Sequence, residues 1–204
     1  MKPVILMLHG WGYDRHFWQP LREKLKDWHS VVWDLGFFGE KSMPSLPDGD
    51  IVAIGHSYGL IWLLQHRPIK WRKLIGINGF TRFTTVDGFA GVDPDQLAAL
   101  SRSLAEQPAA TLANFRQRQG WRGPLPEIIK HDVLGGALED LGQWDHRDAA
   151  IDLALCGEND RLLPPAMSRA CFPEKVLHWH PGRHLLPVED PEWCAARIED
   201  FLHE

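Results

Sequence analysis

Three cysteines in 204 residues, Cys156, Cys171 and Cys194, are too few and too irregularly spaced for a disulfide framework or a thiolate metal site. An odd, sparse set suits a reducing compartment. Long apolar runs are missing as well. The amino-terminal one spans only Val4 to Leu8, too short for the core of a signal peptide, and no stretch approaches the length of a membrane span. The cytoplasm is therefore the expected location, and no membrane partner is expected. A net charge of −5 without a dense Lys/Arg run argues against nucleic acid. Neither a G-x-G-x-x-G turn, a P-loop nor an H-E-x-x-H pair occurs, so no cofactor and no metal are implied. His178 and His180 lie two apart on an expected strand, where a surface or satisfied-core role outweighs a metal pair.

What is present is an ordinary globular composition, 44% apolar and 24% charged, enough for one domain with a sizeable core and room for one insertion. Ten tryptophans supply large apolar area for a core or for pocket walls. The most informative stretch is 51–64. Ile51 to Ile54 reads as a strand buried on both faces, and Leu60 to Leu64 as a buried helix ending before Pro68. Between them, Gly55-His56-Ser57-Tyr58-Gly59 fits the G-x-S-x-G nucleophile elbow. The bland alternative is a glycine-rich turn whose serine merely caps the helix.

Around this centre strands and helices alternate. Strands are expected at Pro3 to Leu8, Val31 to Asp34, Lys73 to Ile77, Ile151 to Cys156 and Lys175 to Trp179, besides the elbow strand. A helix from Asp14 to about Trp28 and a closing helix from Pro191 to Leu202 flank them. Residues 40–50 read as loop. This pattern predicts an α/β fold: a mainly parallel sheet of about six strands flanked by helices. From 81 to 147 the pattern turns helical, with Pro94 to Glu106, Ala109 to Gln119, and further helix around Ile128 and Leu134 to Leu141. Roughly 65 residues are too many for a structureless loop. They read as a helical cap, 81–147, inserted before the fifth strand of a core made of 1–80 and 148–204, over the strand ends where ligands bind.

Three strand ends then offer Ser57, Asp160 and His184, in the order Ser…Asp…His of α/β-hydrolases. A serine hydroxyl needs a positioned base, itself oriented by a third group. His184 follows a strand in a Gly-Arg-His loop; Asp160 is preferred over Glu158 and Asp152. The oxyanion of an acyl intermediate needs two donors, expected from the backbone N–H groups of Tyr58 and of Trp11 in His9-Gly10-Trp11-Gly12.

Over nearly its whole length the chain resembles the BioH-type carboxylesterases of the α/β-hydrolase superfamily. The likeness is carried by HGWGYDRHFW, by VDGFAGVDPDQLAALSRSL with TLANFRQRQG, by VLGGALEDLGQWDHRD, and by GENDRLLP and GRHLLPVEDPEWC. It implies a serine esterase with Ser57, Asp160 and His184 as triad, Trp11 and Tyr58 as oxyanion donors, and Trp11 and Phe115 against the substrate. The implied substrate is a small acyl ester, in that family the pimeloyl methyl ester of biotin synthesis on an acyl carrier protein. A thioesterase or general short-chain esterase would use the same residues, and a binding protein that has lost turnover would share the fold. The family docks its acidic carrier through basic cap residues. Here 111–131 holds Arg116, Arg118, Arg122 and Lys130 against Glu127, while Ala110 and Asn114 stand where arginines are expected. Two strands that precede the first one in the family have no counterpart in this sequence. Only roughly 15 residues, Gly36 to Asp50, remain to cross the first strand without a helix, near the lower limit for a parallel crossover.

Overall fold

The computed structural model describes residues 2–203. Six parallel strands form one sheet in the order β2-β1-β3-β4-β5-β6. These are β1 (Val4–Leu8), β2 (Ser30–Trp33), β3 (Ile51–His56), β4 (Lys73–Ile77), β5 (Leu153–Gly157) and β6 (Leu177–His180). The central strands are apolar apart from Lys73 and His56 at their ends, as covering of both faces requires. On one face Leu6, Ala53, Leu74 and Ala154 pack against α2 (Tyr58–His66) and the helices after β4. On the other, Ile5, Met7, Ile54, Ile75 and Leu155 pack against Phe17, Trp18, Leu21, Cys194 and Ile198. The strand period of two thus divides one sequence run between two cores.

The second core is closed by α1 (Gln19–Lys24) and α8 (Pro191–His203). The single helix expected from Asp14 to Trp28 is instead a 3-10 turn, Arg15–Trp18, followed by the short α1. Pro20 explains the break: it has no N–H to donate back to His16, so one continuous helix cannot pass through it. Leu25 and Trp28 still reach the core from the turn beyond α1.

From β2 the chain crosses β1 to reach β3 without a helix, as the short 36–50 segment requires. An antiparallel bridge between Asp34 and Ser42 folds that segment back on itself. Between β4 and β5 lie α3 (Pro94–Glu106), α4 (Pro108–Arg118) and α5 (His131–Gln143). Ile128 lies outside α5 and is exposed. Leu97, Leu104, Leu134, Leu138 and Leu141 of α3 and α5 join the same core as α2. Two helices were not anticipated, α6 (Pro165–Cys171) and the single turn α7 (Leu186–Glu189). No described helix is long and apolar enough to cross a membrane. The three cysteines are free and buried.

Candidate active site

Ser57 stands between β3 and α2 with φ 52° and ψ −122°, a strained conformation for a residue bearing a side chain. The flanking glycines make the turn possible. A Cβ at Gly55 would land on the backbone of Leu60, and one at Gly59 on the carbonyl of Leu8. Strand, helix and neighbouring strand can approach this closely only where those positions carry no side chain.

The imidazole of His184 lies over this turn. The Ser57 hydroxyl donates to its Nε2 at 3.1 Å, and its Nδ1–H donates to Asp160 Oδ2 at 2.7 Å. The other carboxylate oxygen of Asp160 accepts the backbone N–H groups of Leu162 and Leu163. That pair of bonds aims the carboxylate and thereby selects the imidazole tautomer whose free lone pair faces serine. Ser57, His184 and Asp160, all buried, form one hydrogen-bonded relay across three strand ends. The rivals lie elsewhere: Glu158 is exposed, and Asp152 accepts the N–H of Leu74 at the start of β5.

Two buried residues that sequence reasoning missed hold the His184 loop. Asn78, in the left-handed region at the end of β4, donates through Nδ2 to the carbonyls of Arg183 and His184, both at 2.8 Å. Its side-chain oxygen accepts the Gly157 N–H. His56, fully buried beneath Ser57, donates from Nε2 to the same His184 carbonyl at 2.9 Å. Burial, then repulsion from His184, holds the His56 imidazole well below its ordinary pKa. It is therefore neutral, with the proton on Nε2. Only the position of Asn78 at a strand end hinted at this role.

The His9-Gly10-Trp11-Gly12 loop lies against the elbow, since a Cβ at Gly10 would come within 3.0 Å of Ser57 Cβ. Among the described residues neither the Trp11 nor the Tyr58 N–H has a hydrogen-bond acceptor. Phe115 of α4 meets the Trp11 ring edge-on at 4.7 Å. Arg116 differs from the exposed basic residue expected. It is buried, donating to the Gly12 carbonyl at 2.8 Å, which leaves Arg118, Arg122 and Lys130 exposed. His178 is exposed, and His180 pairs with Asp190. A cavity of about 330 Å³ opens beside the elbow between Leu35, Phe37, Tyr58, Trp62 and Ala137. A larger, more polar recess of about 590 Å³ lies behind the acid and histidine loops, along Glu158, Arg161 and Arg183.

No family model matches the chain. Among curated proteins it is 31% identical to the pimeloyl-[acyl-carrier protein] methyl ester esterase of Pseudoalteromonas atlantica, covering 98% of this chain and 92% of that protein. The chain belongs to the BioH-type carboxylesterases. A second esterase of that name, from Legionella pneumophila, is 27% identical and matches 97% of this carboxylesterase and 94% of its own length. The bifunctional biotin-biosynthesis protein BioHC of Cellvibrio japonicus is also 27% identical, but the carboxylesterase spans only 47% of it. Two solved structures share the fold with TM-scores of 0.80: an esterase from Exiguobacterium antarcticum (18% identity, 99% of this chain and 92% of that one) and a hydrolase from Oleispira antarctica (15%, 100% and 92%).

Proposed function

We propose that this carboxylesterase hydrolyses a small acyl ester through an acyl-enzyme on Ser57. The observation that carries the reading is the continuous Ser57–His184–Asp160 relay, at 3.1 and 2.7 Å. Ser57 Oγ bonds to the acyl carbon while its proton passes to His184 Nε2. The carbonyl π electrons move onto oxygen, and the N–H groups of Trp11 and Tyr58 donate hydrogen bonds to the oxyanion so formed. Collapse of the tetrahedral intermediate breaks the acyl–alkoxy bond, and His184 returns the proton to the departing alcohol. Water then repeats the sequence, releasing the acid and restoring serine. Asp160 holds the imidazole and stabilises its cation without itself taking the proton.

Residues 81–147 act in this reading as a cap over the 1–80 and 148–204 core, with Phe115 and Trp11 meeting the acyl group. By the names of its relatives the substrate is a pimeloyl methyl ester on an acyl carrier protein. Exposed Arg118, Arg122 and Lys130 are chemistry an acidic carrier would meet. Free, buried cysteines suit a cytoplasmic enzyme. The test compares kcat/KM for pimeloyl methyl ester, free and carrier-bound, with that for acyl thioesters of equal chain length. The reading predicts faster turnover of the methyl ester. A large preference for thioesters would replace it with a thioesterase.

A further inference from the structure

The C-terminal ends of β2, β1 and β3 all hang from one helix. The N–H of Lys130, the residue just before α5, donates to the carbonyl of Phe37 after β2 at 2.9 Å. In the first turn of α5, the carbonyl of Leu134 accepts the buried Trp11 indole N–H, Nε1, at 2.9 Å. Near its far end, the Tyr58 hydroxyl donates to Asp140 Oδ2 at 2.6 Å. The Tyr58 ring also stacks on Trp144, the residue that closes α5, with centroids 5.8 Å apart and planes 18° apart. Trp11 and Tyr58 are the two residues whose backbone N–H groups are assigned to the oxyanion. The polar ends of both side chains, the Trp11 indole N–H and the Tyr58 hydroxyl, end on α5.

We propose that α5 is a positioning element for the oxyanion hole, with the Tyr58 hydroxyl and Asp140 as positioning residues. The inference rests on the oxyanion assignment above. Backbone donors stabilise a developing charge only when held to a fraction of an ångström. Gly10 and Gly12 leave the Trp11 loop with backbone freedom, while Tyr58 opens α2 directly after the strained Ser57; the contacts to α5 hold both. A docked α5 completes the hole, and a displaced α5 dismantles it while leaving the Ser57–His184–Asp160 relay in place.

The test uses Tyr58→Phe, Asp140→Ala and Asp140→Asn in the full chain. Asp140 is half-buried on a helix surface, so its variants keep the question answerable if Tyr58→Phe does not fold. Each is assayed for kcat and KM on a p-nitrophenyl ester. Each is also titrated with an aryl trifluoromethyl ketone, which adds to Ser57 and creates an oxyanion. Tyr58→Phe and Asp140→Ala are expected to lose kcat roughly tenfold to a hundredfold with KM little changed, and to weaken the ketone by a similar factor. Asp140→Asn, whose amide oxygen can still accept the phenol proton, is expected to keep most of both. Folded Asp140→Ala with kcat and ketone affinity within twofold of the parent overturns the proposal, as does a loss confined to KM. A parent that neither hydrolyses the ester nor binds the ketone defeats the esterase reading itself, and the α5 role with it.

Discussion

At the scale of single residues, the site depends on a neutral imidazole as much as on a reactive one. His56 cannot take a second proton without placing an unpaired charge in the core beside His184 and His9, so its native pKa lies below the ordinary histidine value. The sign of the linkage follows. Well above pH 6.5 the group is neutral in both folded and unfolded chains and contributes nothing. Below that, the unfolded chain binds a proton that the native state refuses, so stability falls with pH. Between pH 6.5 and 5.5 the parent is expected to lose more unfolding free energy than His56→Gln, which does not titrate. Urea unfolding at the two pH values measures it, and equal losses would mean that His56 is protonated in the native state. Neither His56 nor Asn78 could be assigned this task from the sequence. Each acts on a carbonyl more than a hundred positions away, and nothing local marks that partner.

At the scale of elements, legibility followed local signals. Lys73–Ile77 and Pro94–Glu106 were readable to the residue, the first as a short, largely apolar run closed by Asn78-Gly79, the second because Asp93 and Pro94 give a cap and a first-turn proline. Pro165–Cys171 escaped because seven residues span barely two turns, too few for an apolar period to emerge. The helix from Asp14 was overextended by following Leu25 and Trp28, which are buried from a turn rather than from a helix. Helix α5 carries Gly135 and Gly136 in its interior, which weakens its intrinsic preference and leaves its order to the contacts it makes. A Cβ at Gly135 would meet nothing within 4 Å. Gly135→Ala is therefore expected to raise stability by about 0.5–1 kcal/mol. Thermal unfolding measures this, and a lowered midpoint would show that α5 needs glycine's freedom there.

At the scale of the whole molecule, the sheet does the assembling. Its order puts β3 between β1 and β4, so the elbow emerges flanked by the Gly10 loop on one side and Asn78 on the other. β5 and β6 then bring Asp160 and His184 to the same rim. The order Ser…Asp…His was visible in the sequence because each residue ends a strand in a glycine-bearing turn. The hydrogen bonds from Trp11 and Tyr58 to α5 were not, since the Trp11–Leu134 and Tyr58–Asp140 pairs are separated by 123 and 82 positions and follow no motif. The most direct test of the account is intact-mass analysis after a fluorophosphonate probe. We expect a single adduct on Ser57, absent in Ser57→Ala and slowed by orders of magnitude in His184→Ala. A folded parent chain that takes up no probe, or takes it up on another residue, would contradict it.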